Sequence, residues 1–493
     1  MPDALSCLAI AALGIALYRR VAAFYWLSDD FFHFHLLASH PAASFLWDPR
    51  SGRDLPGRMF TPLLLLSMRA DWRLFGLRPA AFHLHQLAAV AAAAVLLYGT
   101  LRLWIRIPAA IFGAVLFLLG AAIGPIASEV ATRHYAEGFC LALLSTICFV
   151  RGARTGSRIP IAASVLLYLA ATSAKEIFVP LPAVLALLPD SRGRLRVLAG
   201  HAAALAVYPF WRTAMLGTLV GGYGLVLPAR RLPEALAALP LRLANATFGP
   251  GGWAGWATLA VLAGLWTTAP PRGAREWMLV AVFLAAAVLP VLPVSLEIAP
   301  RYALVAWTGV VCAAAVSLDS SRRSRRGVAV ALAAAALVLA FLAHRAAWEA
   351  ASARFERQSV ENRTFATQIG SGDVLVHPAS YPAAMGELSW FRENVLRAGA
   401  GAEWFFDDLF IVRNPPAGSG KRYWEFDASS RKCRDVTRDM PARARLAAVL
   451  ERAAAPLSAR FEWGPGTLQW RLGPYETGEY AFALRDGADA LPV

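Results

Sequence analysis

The sequence predicts an α-helical polytopic membrane protein, with about eleven transmembrane helices and a C-terminal extracytoplasmic α/β domain. Three observations predict it. Hydrophobic residues make up 57% of the 493-residue chain and charged residues only 16%, where a soluble globular chain carries about 25% charged residues. Mean hydropathy is +0.48. The apolar residues gather into long segments separated by short, arginine-rich loops, the pattern expected of a chain that crosses a hydrocarbon core repeatedly.

In order, the apolar segments are roughly 4–18, 80–101, 107–124, 136–150, 159–173, 177–189, 197–211, 252–269, 277–296, 302–318 and 327–343. The first begins MPDALSCLAIAALGIALYRR. It carries Asp3 where a signal peptide has a basic n-region, so it reads as an uncleaved span. Several segments fall short of the ~20 residues that cross a hydrocarbon core. The segment IFVPLPAVLALLP, 177–189, holds three prolines. Short or broken helices of this kind are tolerated where they line a protein cavity.

Alternate loops read LRLWIR, RGARTGSR, DSRGRLR, PPRGARE and DSSRRSRR. Their arginines assign them to the cytoplasm. The opposite loops, 19–79, 125–135, 174–176, 212–251 and 297–301, then lie outside. Loop 19–79 also holds eight arginines, so the bias is clearest in the short loops. The net charge of +15 is thereby divided among hairpin loops. That argues against a nucleic-acid partner, which needs a basic patch on one face. Cys7, Cys140, Cys148, Cys312 and Cys433 form no C-x-x-C pair, so neither a disulfide framework nor a zinc signature is present. The chain divides into 1–343, a transmembrane domain whose first outer loop is 19–79, and 344–493. In the latter, SGDVLVH, TLQWRL and YAFAL read as strands and ARARLAAVLERAAAPL as an amphipathic helix.

Charges at the outer ends of the spans form the most informative set. Asp29 and Asp30 stand side by side in FYWLSDDFFHFH. Glu129 follows in GPIASEVATRHYAEGF, with Arg133, His134 and Glu137 behind it. Lys175 and Glu176 form TSAKEIF, and Glu297 and Arg301 lie in SLEIAPRY. Such charges can simply mark where a helix leaves the lipid. Four loops presenting them at one level, however, suggest function, because boundary charges are costly. A carboxylate there can act as general base on an acceptor hydroxyl or amine. Arginine and lysine can hold a phosphate leaving group. His33 and His35 sit two apart as metal ligands can, but read more simply as interfacial residues, and His83 and His85 as structural ones.

The order of these motifs resembles the GT-C superfamily of polytopic glycosyltransferases. The likeness is to mannosyltransferases with tetratricopeptide tails, to relatives of the protein O-mannosyltransferases and to the lipid A aminoarabinose transferase. YRRVAAFYWLSDDFFHF matches the family's acidic pair after the first span. GRMFTPLLLLSMRADWRLFGLRPAAFHLHQL matches its first outer loop, loosely at Arg58 and Pro62 and well thereafter. GPIASEVA resembles the H-P-x-H-T-E-A-V stretch at Glu129 and lacks its histidines. SAKE matches S-K-E at Lys175 and Glu176, and Arg301–Tyr302 matches a late R-Y pair. The resemblance covers roughly residues 4–320. The tetratricopeptide tail is replaced by the non-repetitive domain, as in the aminoarabinose transferase.

The resemblance implies an inverting membrane glycosyltransferase of the bacterial inner membrane. It would move a sugar from a polyprenyl-phosphate donor to an extracytoplasmic glycolipid, polysaccharide or protein. Asp29 or Asp30 would be the general base and Glu129 would orient the acceptor. Lys175, Arg301, Arg58 and Tyr302 would hold the donor phosphate. Arg133, His134, Glu137 and Glu176 would support the site. Some relatives use a divalent metal ion and others do not, so that point stays open. A transporter or flippase of lipid-linked sugars is the alternative. It should carry inverted repeats and mid-span charges, whereas His201 alone is ionisable in the middle of a span.

Overall fold

Alanine- and leucine-rich runs with proline at the first turn favour helix, and helices occupy all eleven apolar segments. The computed structural model describes residues 2–54, 59–191, 195–219, 232–270, 273–294, 298–406, 420–453, 458–464, 467–473, 483–486 and 489–492. Two units emerge, Met1–Glu356 and Arg357–Val493.

In the first unit the helices at the apolar segments are α1 (Pro2–Tyr18), α6 (Pro79–Leu101), α7 (Ile107–Leu118), α9 (Arg133–Thr155), α10 (Arg158–Ala174), α11 (Leu181–Leu187), α12 (Ala199–Leu216), α14 (Gly252–Thr268), α15 (Ala274–Val288), α16 (Leu304–Ser320) and α17 (Arg326–Thr367). Among the described residues six stretches are long and apolar enough to cross a membrane: Pro2–Ala23, Pro79–Leu101, Val130–Thr155, Ala274–Leu292, Pro300–Ser320 and Arg323–Thr367. Ile107–Leu118, Arg158–Ala174 and Glu176–Leu187 are apolar but shorter. The proline-rich segment 177–189 breaks as expected. A 3-10 turn at Glu176–Phe178 precedes α11, which has only 7 residues.

Among the described residues six further helices lie between these segments. Loop 19–79 contains α2 (Asp30–Ser39), α3 (Ser44–Trp47), α4 (Pro49–Arg53) and α5 (Pro62–Phe75); α8 (Ile123–Ser128) and α13 (Leu232–Phe248) lie in later loops. In α5, Leu64, Leu65, Met68 and Asp71 are buried. That is one helical face. A search for uniformly apolar runs passes over such an amphipathic helix.

The core of this unit forms where α9 packs along α10 and α6, α1 along α6, and α16 along α7. Tyr18, Tyr98, Phe117, Phe139 and Trp307 are buried in it. The polar tips of Tyr18 and Trp307 find backbone partners, as buried Tyr and Trp require. Tyr18 Oη donates to the Leu118 carbonyl (2.7 Å) and Trp307 Nε1 to the Phe117 carbonyl (3.0 Å). Gly156 ends α9 in the left-handed conformation, φ +72°, which glycine adopts without a Cβ penalty.

In the second unit, β1 (Val374–Val376), β2 (Glu403–Phe405), β3 (Tyr423–Asp427) and β4 (Lys432–Asp435) form one sheet in the order β2-β1-β3-β4. β1 runs parallel to both β2 and β3, and β4 antiparallel to β3. Parallel pairing needs a crossover, and α18 (Pro382–Asn394) supplies it between β1 and β2. Val374, Val376, Tyr423, Val436 and Met440 form the core. Asp373 ties the strand starts together, accepting from Gly370 N–H (3.0 Å), Arg422 N–H (3.1 Å) and Arg422 Nη2 (2.7 Å). α19 (Met440–Ala453) follows, then the hairpins β5 (Ser458–Gly464) with β6 (Thr467–Gly473) and β7 (Ala483–Asp486) with β8 (Asp489–Pro492). SGDVLVH, ARARLAAVLERAAAPL and TLQWRL thus hold β1, α19 and β6. YAFAL begins outside the described residues and ends in β7.

Candidate functional site

The acidic pair straddles a helix start. Asp29 is the N-cap of α2 and Asp30 its first residue. Asp30 is fully buried and Asp29 only partly so. Asp30 Oδ2 accepts from the Leu27 N–H (2.8 Å) and Oδ1 from the Ala131 N–H (2.6 Å). Its carboxylate therefore fastens loop 19–79 to the turn that follows Glu129. Burial pushes its pKa up to about 7, against the pull of the two amides, and the charges of Glu129 and Asp29 add to the rise. His33 sits one turn along α2. It donates from Nδ1 to the Asp29 carbonyl (2.9 Å), and burial holds its pKa below the ordinary value.

Glu129 is 15% exposed and lies 3.6 Å from Arg301 Nη1. Burial raises its pKa, Arg301 opposes the rise, and Asp29 adds to it. From Arg301 a line of contacts runs across the site. Its guanidinium lies 5.4 Å from the Tyr302 ring centre, Tyr302 meets Tyr135 edge-on at 6.2 Å, and Lys175 Nζ lies 5.7 Å from the Tyr135 ring. Such cation–π spacing is attractive and orients both partners. His134, stacked at a tilt on Tyr135 (4.6 Å), is within electrostatic reach of Lys175, His33 and Arg301.

Lys175 approaches α9 this closely because residue 138 is glycine. A Cβ there would stand 2.4 Å from the Phe178 ring and 2.8 Å from Ala174 Cβ. Lys175 is 2% exposed and pairs with Glu176 (3.1 Å). Arg212, at the end of α12, approaches the other Glu176 oxygen (3.8 Å) and is 7% exposed. Two buried cations thus share one half-buried carboxylate.

Two expected members face a different way. Arg133, fully buried, donates to Gln86 Oε1 (3.1 Å), Asp71 Oδ2 (2.5 Å), Ser67 Oγ (3.2 Å) and the Phe82 carbonyl (2.7 Å). Glu137 accepts from Ser67 Oγ (2.5 Å) and lies 3.5 Å from His85 Nε2, while His85 Nδ1 meets Asp71 Oδ1 at 2.8 Å. This network binds α5 to α6 and α9. Arg133 and Glu137 are therefore built into the scaffold beside the site. Arg58 and Glu297 lie outside the described residues.

No family model and no curated protein matches the chain. Solved structures do match. Among them is the crystal structure of ArnT from Cupriavidus metallidurans bound to undecaprenyl phosphate. It is 12% identical, covers 95% of this chain and 99% of that one, and has a TM-score of 0.46.

Asp29, Asp30, Glu129, His134, Lys175, Glu176, Arg301 and Tyr302 thus meet at one end of the helical unit, from four separate segments. Sequence reasoning missed Arg212, which it placed at the start of an outer loop, and Tyr135, an aromatic residue between His134 and Ala136. It read His85 as structural, as its place in the network bears out, but did not single out Asp71. Asp71 is an acid on the apolar face of α5, and that is the signal that could have found it. Among the described residues no group of three or more His, Cys, Asp or Glu side chains is arranged to hold a metal ion.

Proposed function

We propose that this chain is a membrane glycosyltransferase that moves a sugar from a polyprenyl-phosphate donor to an extracytoplasmic acceptor. The observation that carries the reading is a partly buried carboxylate, Asp29, within electrostatic reach of Glu129, which pairs with Arg301, while the cations Lys175 and Arg212 flank Glu176 nearby. The motif order that resembles the GT-C superfamily supports it. Asp29 takes the proton from the acceptor hydroxyl or amine. The freed electron pair attacks the anomeric carbon, and the bond to the phosphate oxygen breaks with inversion. Polyprenyl phosphate leaves with the electron pair of the broken bond, and Lys175, Arg301 and Arg212 meet its charge. Tyr302 orients Arg301, and the resemblance adds Arg58. Glu129 holds Arg301 and borders the acceptor position. Asp30, with both oxygens on backbone amides, positions Asp29.

Within this reading the arginine-rich loops lie in the cytoplasm, all eleven apolar segments, the broken 177–189 among them, cross the bilayer, and the second unit lies outside, where a glycolipid, polysaccharide or protein acceptor is presented. Transport of lipid-linked sugar gains no support from His201, which lies in the first turn of α12 and not in the middle of a span as the sequence suggested. His201 is bonded to Ser164 (2.9 Å) and packed against Phe149.

The test is release of polyprenyl phosphate by the purified protein from a polyprenyl-phosphate sugar. Asp29→Asn should lower the rate about 10²- to 10⁴-fold, the usual worth of a general base, without loss of the protein from the membrane. Full activity in that variant would sink the assignment. The same assay with EDTA decides whether a metal takes part.

A further inference from the structure

We propose that the groove between α14, α15 and α16 is a binding site for an anionic phospholipid from the leaflet that faces the arginine-rich loops. The groove encloses about 670 Å³ and is lined chiefly by apolar side chains, among them Leu262, Trp266, Phe283, Val305 and Gly309. Pockets that hold small ligands fall in the same range, about 300–1,000 Å³. α16 forms the floor from Val305 to Ser320. At 1.5 Å per residue that is about 22 Å, more than half of a ~30 Å hydrocarbon core. An acyl chain entering from the Ser320 end stays in the groove throughout its own leaflet.

The Ser320 end is where charge gathers. Arg322, Arg323, Arg325 and Arg326 follow directly and are exposed. Arg325 Nη1 reaches the Thr267 carbonyl on α14 (3.5 Å), which draws the arginine run across the mouth. Trp266 and Trp277 meet edge-on at the same end (5.6 Å), as aromatic side chains do at headgroup depth. Nearby charges leave an excess of positive charge. Asp319 is held by Arg106 (2.8 Å), and Arg275 is committed to the Leu187 and Leu188 carbonyls (2.9 and 2.5 Å). Glu276 is the acid in the lining. Guanidinium groups pair with phosphate in bidentate fashion, and basic pockets between membrane helices bind anionic headgroups. A zwitterionic lipid could fill the groove but would leave the arginines without net negative charge. A polyprenyl phosphate held at Arg301 would place its phosphate at the opposite end.

The experiment uses the full chain, delipidated in micelles and offered phosphatidylglycerol or phosphatidylcholine, with retained lipid counted by native mass spectrometry. Wild type should retain phosphatidylglycerol at least tenfold over phosphatidylcholine. The R322Q/R323Q/R325Q/R326Q variant should lose that preference. Gly309→Leu, which places a side chain in the groove, should lose retention. Ala313→Leu, in the same wall, serves if the glycine variant does not fold. Equal retention of the two lipids by wild type would overturn the proposal. So would phosphatidylglycerol retained undiminished by the groove-filling variant, or displaced from the groove by polyprenyl phosphate.

Discussion

Asp30 is an acid placed where ionisation is unfavourable, and it is held there by two backbone amides. Its folded pKa of about 7 stands above the ordinary 3.8. The folded state therefore keeps this proton at a pH where the unfolded chain has already released it. Stability from this group is greatest below about pH 4 and falls as pH rises towards 7, a loss of about 3 kcal/mol between pH 5 and pH 8. Unfolding temperature in micelles should drop over that interval in the wild type and drop less in Asp30→Asn. An equal drop in both would refute the assignment. Two adjacent aspartates read alike in sequence. A helix start between them, and an amide partner 101 residues away, set them apart, and no local pattern shows that partner. The split between His134 and its neighbours was not drawn from sequence, where all three were grouped, although helix geometry carries it. Arg133 and Glu137 are four apart and share a helix face, while His134 lies about 100° away.

At the scale of elements, the packing of α9 against α10 decides where Lys175 sits. Gly138 permits it. Gly138→Val should push Phe178 and Ala174 away from α9 and cost about 1–3 kcal/mol by overpacking. Transfer should fall more steeply than stability, because Lys175 leaves Tyr135. A variant with normal transfer would show that Lys175 does not depend on this contact. The apolar helices were legible because their composition is uniform over many residues. The helices α2 to α5 were not, because each is short or amphipathic. Their burial depends on partners elsewhere in the chain, such as Phe45 under the Arg69 guanidinium (5.8 Å) and Trp211 bonded to the Leu46 carbonyl (2.7 Å).

For the whole molecule, the proposed topology puts the DSSRRSRR loop and the second unit on opposite sides of the membrane. Single cysteines at two exposed positions test it, in a chain whose five native cysteines are replaced by serine. A membrane-impermeant thiol reagent applied to intact spheroplasts should label Ser429→Cys and spare Ser324→Cys. Labelling of both, or of the second alone, would reject the topology. The α/β character of the second unit was legible from short β-rich runs. Its strand order was not, because β2-β1-β3-β4 depends on a crossover rather than on neighbouring sequence. The bond from Ala131 to Asp30 also sets a timetable for biosynthesis. When the first acidic pair emerges from the ribosome, its amide partner is a hundred codons away. At about 5–20 residues per second, roughly 5–20 s pass before Ala131 is made. For that interval the nascent first loop carries a carboxylate without its later anchor, and the site closes only after two further apolar segments have been synthesised.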